Sequence, residues 1–177
     1  GKASSSRSRA EFRRMIWRFT QSESAPGATE GQCHLLESLE GPPRFARLAQ
    51  DGAALSEALD YRMELLTDTG PASEAYGALM LVAFDVPEER VAEVAQWYDE
   101  EHIRLLMRAD GWLRSRRFGV SDNRGKRWTS LAFHELRDLS VLDSEERKFA
   151  RSTAWRAELE KEQWFQEAGR FVYRRLT

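Results

Sequence analysis

The period of the apolar positions changes along this chain, and each change marks an element. Residues 78–86, ALMLVAFDV, are a nearly unbroken apolar run containing Val and Phe, the pattern of a strand covered on both faces. Pro87 and the acids Glu88 and Glu89 then open a helix, as a first-turn proline and N-terminal carboxylates should. Within it Val91, Val94, Tyr98, His102 and Leu105 recur at steps of three or four and share the face that a soluble helix buries. The helix runs to about Met107, and Gly111 closes the connection. Residues 112–120 read as a strand, SDNRGK as a turn, and 127–137, RWTSLAFHELR, as the returning strand of a hairpin. Residues 143–167 have helical spacing, Gly169 suits a C-cap, and 170–176, RFVYRRL, is a last strand.

The order over 78–176 is therefore β-α-β-β-α-β, which predicts an α+β fold of the ferredoxin-like type. Such a sheet carries both helices on one face. Its other face, rich in large side chains here, needs a cover. The N-terminal portion can supply one. Residues 12–20 suit a strand or a helix, 31–41 a strand, 42–52 its hairpin partner after Pro42-Pro43, and 53–66 a helix, with 67–77 a linker by composition. The same half-pattern thus returns in shortened form, and it divides the chain into a disordered tail (1–10), a degenerate N-terminal half (11–70) and a C-terminal half (71–177).

The totals narrow the function. With 177 residues the chain can bury a substantial core. A net charge of −2 gives no footprint for nucleic acid or an anionic membrane, and no apolar run approaches a membrane span. Cys33 stands alone, so no internal disulfide and no cysteine-based metal site can form, which suits a cytoplasmic protein. GKASSSRSR at the start lacks the apolar core of a secretory signal. No Gly-rich phosphate loop, G-x-S-x-G elbow or His pair at metal-ligand spacing is present, so neither a nucleotide cofactor, acyl-serine chemistry nor a metal is expected.

Trp97-Tyr98-Asp99-Glu100-Glu101-His102, followed nine residues on by Gly111 and then by a strand with Arg116-Arg117-Phe118, resembles the dimeric α/β-barrel superfamily, and within it the EthD-like members. Ala109-Asp110 stands where those members often place a proline before the glycine. The resemblance covers 78–176 well and 12–66 only by implied repetition. It implies that both ferredoxin-like units of a sheet-to-sheet barrel lie in one polypeptide, as a fused pseudo-dimer that leaves room for a further homodimer. It also raises haem as an alternative to a cofactor-free site, since some relatives bind haem through one axial histidine.

His102 is the first candidate for chemistry. It is either a general acid/base at a cavity between helix and sheet, or a packed histidine with a satisfied hydrogen bond. Tyr98, one turn earlier, could stabilise a developing oxyanion, while Asp99 and Glu101 point elsewhere on the helix. His134 shares a strand face with Ala132 and Leu136, opposite Leu131 and Phe133, and would join His102 if that face meets the helix. His34 reads as a partly exposed sheet residue. For substrate binding the candidates are Phe84, Trp97, Trp112, Trp128 and Arg116, although most tryptophans should be core and the Arg114/Arg116 face of its strand reads as a solvated rim. These residues favour a small-molecule enzyme without an organic cofactor, a lyase, isomerase or cyclase moving protons on an aromatic or oxygenated substrate. A haem-dependent or cofactor-free oxygenase and a non-catalytic ligand-binding or stress-response module are the alternatives.

Overall fold

The computed structural model describes residues 16–28, 32–50, 59–71, 75–122 and 127–176. Eight strands, β1 (Ile16–Ser22), β2 (Cys33–Ser38), β3 (Phe45–Gln50), β4 (Leu59–Asp68), β5 (Ala78–Phe84), β6 (Trp112–Asp122), β7 (Ser130–Leu136) and β8 (Gly169–Arg175), close into a barrel in the order β1-β3-β2-β8-β5-β7-β6-β4. All its pairings are antiparallel. Split at the β2–β8 and β6–β4 seams, the circle falls into β4-β1-β3-β2 and β8-β5-β7-β6. Each set thus orders its own fourth, first, third and second strands alike. The exposed sheet face expected of the second set is covered by the first, which closes every edge.

The inside of the barrel is filled with side chains. Phe19, Leu36, Leu48, Met63, Leu79, Leu81, Phe118, Leu131 and Phe133 are almost fully buried there. Period-2 alternation puts Leu131, Phe133 and Glu135 of β7 inward and Ala132, His134 and Leu136 outward.

The helices lie over the outward face of the second set. They are α1 (Val91–Trp97), α2 (Ile103–Leu106), α3 (Glu145–Ala150), α4 (Ala154–Leu159) and α5 (Gln163–Gln166). A single π turn, Tyr98–His102, joins α1 to α2. Its wider pitch shifts the phase of the buried stripe, which runs Val94, Trp97, Tyr98, His102, Leu106. Leu105 is only partly buried and Val91 is 50% exposed, against the regular spacing read from the sequence.

Four further expectations are corrected. Residues 59–66 form a strand rather than a helix, because Tyr61 and Met63 alternate with Arg62 and Glu64 and the segment pairs on both sides, with β1 and β6. The start of that expected helix, like the tail at 1–10, lies outside the described residues. The stretch 143–167 is three short helices, not one, since Ser144 and Thr153 each cap a new start by accepting from the N–H of Arg147 and Arg156. Gly169 is no C-cap: it begins β8, where an added Cβ would stand 2.6 Å from the Trp128 ring. The linker at 67–77 includes the end of β4 and the buried ring of Tyr76.

Candidate active site

A cavity of about 460 Å³ lies between the outer face of β5, β7 and β8 and the helical layer. Its floor is made by Met80, Val82 and Phe84 of β5 with His134 of β7. Its walls are Trp97 of α1, Tyr98 and His102 of the π turn, Leu106 of α2, Trp112 of β6 and Phe165 of α5. Of the residues expected from the sequence, the cavity brings together His102, Tyr98, His134, Trp97, Trp112 and Phe84. Arg116 and Trp128 belong to the barrel interior instead.

The π turn is held in place by its acids, which point away from the cavity. Asp99 accepts from the Thr67 hydroxyl at 2.7 Å, and Glu101 from the Thr153 hydroxyl at 2.8 Å. On the inner side, the His102 ring stacks on Trp97 with centroids 4.3 Å apart and planes 20° from parallel. Tyr98 meets it edge-on at 5.8 Å. The Nδ1 atom of His102 is buried with no hydrogen-bond partner among the described residues. Burial, with smaller contributions from His134 and Arg156, pushes this imidazole down to about 3. It is neutral at ordinary pH and lines the cavity wall.

His134 is oriented from below. Trp112 Nε1–H donates to Ser115 Oγ at 3.0 Å, and Ser115 Oγ lies 2.8 Å from His134 Nδ1. An indole N–H only donates, so the serine hydrogen is left for the imidazole or for Met107 Sδ at 3.9 Å. The ring nitrogen is far the better acceptor. His134 Nδ1 then accepts, and its proton sits on Nε2. Burial, followed by the charges of Arg147 and Arg170, pushes His134 also down to about 3. Burial raises the Tyr98 hydroxyl well above the usual phenol value, so it stays a donor. Arg117 lies 5.3 Å over the Tyr98 ring.

The sequence reading missed the cavity's mouth. Arg147 of α3, Arg151 beyond its end, Arg156 of α4 and Arg170 of β8 line it, with Glu160 the one acid among the lining residues. A spacing of four between Arg147 and Arg151 was the available signal, but its meaning depended on the helix breaks.

Inside the barrel a second polar group gathers. Arg114 forks onto Asp68 at 2.9 and 2.7 Å and lies 3.7 Å from Glu135. Arg116 reaches His34 Nε2 at 3.2 Å and lies over the Trp17 ring, while His34 Nδ1 meets the Tyr76 hydroxyl at 2.5 Å. Arg114 and Arg116 are 6% and 1% exposed, so the basic face of β6 is buried and not a solvated rim. Strand parity is the reason: this face is the one that carries Phe118 into the core.

No family model and no curated protein matches the chain. Solved structures do. A ferredoxin-fold protein from Listeria monocytogenes related to antibiotic biosynthesis monooxygenases aligns with a TM-score of 0.59 at 12% identity, over 96% of this chain and 99% of that one. An anthrone oxidase-like protein gives 0.65 at 9%, over 95% and 93%. A haem-degrading enzyme from Listeria monocytogenes gives 0.59 at 10%, over 91% and 99%. The chain has the ferredoxin-like α+β fold of these proteins. Among the described residues no helix is long and apolar enough to cross a membrane, and no cluster of metal-ligating side chains is found.

Proposed function

We propose that the chain is a small-molecule enzyme that moves a proton on an aromatic or oxygenated substrate held in the 460 Å³ cavity, with His102 as the acid/base. The carrying observation is one cavity lined by the neutral His102 ring, Tyr98 and a second, oriented imidazole, His134. A neutral imidazole held down to about 3 by burial is a weak base when alone. It becomes a stronger one as the proton moves, because the enolate or phenolate left behind faces the new imidazolium in a dry site. Tyr98 O–H and His134 Nε2–H are neutral donors suited to that oxyanion. Returning the proton to another atom is isomerase or cyclase action, and expelling a leaving group is lyase action. Likeness to an anthrone oxidase-like fold supports a further branch, in which the anion reacts with oxygen without a cofactor. On this reading the barrel is the fused form of two EthD-like units in a cytoplasmic enzyme, and assembly into a homodimer is compatible with it.

The test is turnover of a panel of hydroxylated aromatics and anthrones by the wild-type chain and by His102→Ala. The variant should keep its circular-dichroism spectrum and lose at least ~100-fold in turnover, the lower worth of a general acid or base. Unchanged turnover would remove His102 from the chemistry.

Haem is the second reading. An unprotonated ring nitrogen is the donor an iron porphyrin needs; His102 could provide it, as could His134 in its other tautomer with Nδ1–H turned to Ser115, with the arginines at the mouth suited to propionates. Bound haem would supply oxygen activation. A Soret band after titration with haemin, abolished in His134→Ala or His102→Ala, is its signature.

A further inference from the structure

The charge of the cavity mouth does not match the rest of the chain. Overall the protein is mildly acidic, at −2. At the mouth four guanidinium groups face one carboxylate. Arg156 uses that carboxylate, Glu160, in an ion pair at 2.9 Å, and Arg147 gives one N–H to the Leu142 carbonyl at 3.0 Å. The guanidinium groups of Arg151 and Arg170 make no hydrogen bond or ion pair among the described residues. Like charges crowded over a half-buried cleft repel one another more than they would in open water. Burial, and then Arg151, Arg170 and Arg156, lower Arg147 to about 10. The deeply buried part of the lining is aromatic, with Trp97, Trp112 and the two neutral imidazoles.

This layout has an apolar, flat inner end and a cationic outer end. Resting on the reading that the cavity holds the substrate, we infer that the natural ligand is an aromatic molecule carrying an oxyanion, a carboxylate or a phosphate, whose ring lies against Trp97 and Trp112 while Arg147, Arg151, Arg156 and Arg170 hold the charge. A planar guanidinium pairs with either group through two parallel N–H···O bonds, which fixes orientation as well as affinity. Seating the charge at the mouth leaves the ring's reactive carbon or hydroxyl beside His102.

The experiment measures quenching of tryptophan fluorescence by three probes of one size: 2-naphthoate, 2-naphthyl phosphate and the neutral 2-naphthalenemethanol. At least one anion should bind ten or more times as tightly as the alcohol, and the tighter of the two names the group. The advantage should shrink as salt rises from 0.05 to 0.5 M, with screening length falling to a few ångströms. Arg151 and Arg170 are exposed at the mouth, so Arg151→Gln/Arg170→Gln should fold normally. That variant should bring anion and alcohol to within about twofold, with alcohol affinity unchanged. Equal binding of all three probes by the wild-type chain would overturn the oxyanion inference and leave the proton-transfer reading standing. Failure of every probe to bind would overturn both. His102→Gln that binds the anion normally but does not turn over would support both.

Discussion

Two buried polar groups lie back to back on the same pair of strands, and they are built differently. On the inward face of β6 and β7, Arg114 and Arg116 stand with Asp68 and Glu135, two cations against two anions. On the outward face, Ser115 backs His134, which lines a cavity whose mouth carries four cations and one anion. The inner group ties β2, β4 and β6 together through the Arg114–Asp68 fork and the Arg116–His34 contact, with Glu135 of β7 beside them. The outer group is short of negative charge and adjoins a void. Buried polarity alone would not separate structure from function here; charge balance and an adjoining space do.

The sharpest way to break this contrast is to remove one member of each group. Arg114→Ala leaves the fully buried Glu135 carboxyl, and the more exposed Asp68, without their guanidinium. Losing one partner of a buried pair costs about 3–5 kcal/mol, which should lower the urea midpoint by more than ~1 M for a chain with an ordinary m-value. Arg170→Gln, at the exposed mouth, should stay within about 0.5 kcal/mol of wild type. If both variants proved equally stable, the inner group would not be structural.

Acid titration tests both faces at once. Burial is the first cause of the shifts that push His34, His102 and His134 each down to about 3 from 6.5. Between those values the unfolded chain binds a proton at each imidazole and the folded chain does not. Stability is therefore complete above pH 6.5 and is lost as pH falls toward 3. Each of the two cavity imidazoles contributes at most ~5 kcal/mol across that window. Glu135, whose carboxyl burial raises, works with the opposite sign above 4.5, one group against three. Urea midpoints at pH 7.5, 6 and 5 should fall in that order, and His102→Gln should flatten the slope. A midpoint that is level across this range would refute neutral burial of the histidines.

The second half was legible because its periods were clean. A run with no polar break gave β5, parity placed His134 opposite Phe133, and the stripe before Gly111 gave the helix of Tyr98 and His102. The failures have separate causes. In 59–66 the Leu, Met and Glu content favours a helix, and only pairing with β1 and β6 makes the alternation of Tyr61 and Met63 decisive. The π turn leaves no composition signal, so the shift of the buried stripe from Leu105 to Leu106 was invisible. Ser144 and Thr153 were readable caps inside the span taken as one helix, and reading them would have brought Arg147, Arg151 and Arg156 to one place. The burial of Arg114 and Arg116 needs a closed barrel, which local pattern does not announce.

Gly169 marks the seam between the two groups. Its neighbours Ala168 and Arg170 line the cavity, while the Trp128 ring it touches belongs to the barrel core. Gly169→Ala would set a methyl group 2.6 Å from Trp128 and 3.0 Å from Phe171, so one side must yield. The expected cost is roughly 1–3 kcal/mol, the usual penalty for overfilling a core, read as a lower urea midpoint. A shift of Trp128 inward would leave probe binding intact, whereas displacement of β8 outward would weaken it through Arg170.

Ser115 gives the finest discrimination. Its hydroxyl is the link between Trp112 Nε1 and His134 Nδ1, and replacing it by Ala leaves an indole N–H and an imidazole nitrogen unpaired in a buried place. The stability cost should be about 2 kcal/mol, the low end for two buried groups left unpaired. A purely structural hydroxyl would do no more than this. A hydroxyl that fixes the tautomer does something else as well: in Ser115→Ala the side-chain nitrogen resonances of His134 should move from a single Nε2–H form to a mixture of both tautomers, and turnover should fall several-fold with binding of the naphthyl probes unchanged. Resonances that stay with one tautomer would show that the cavity itself, and not Ser115, sets where the proton of His134 resides.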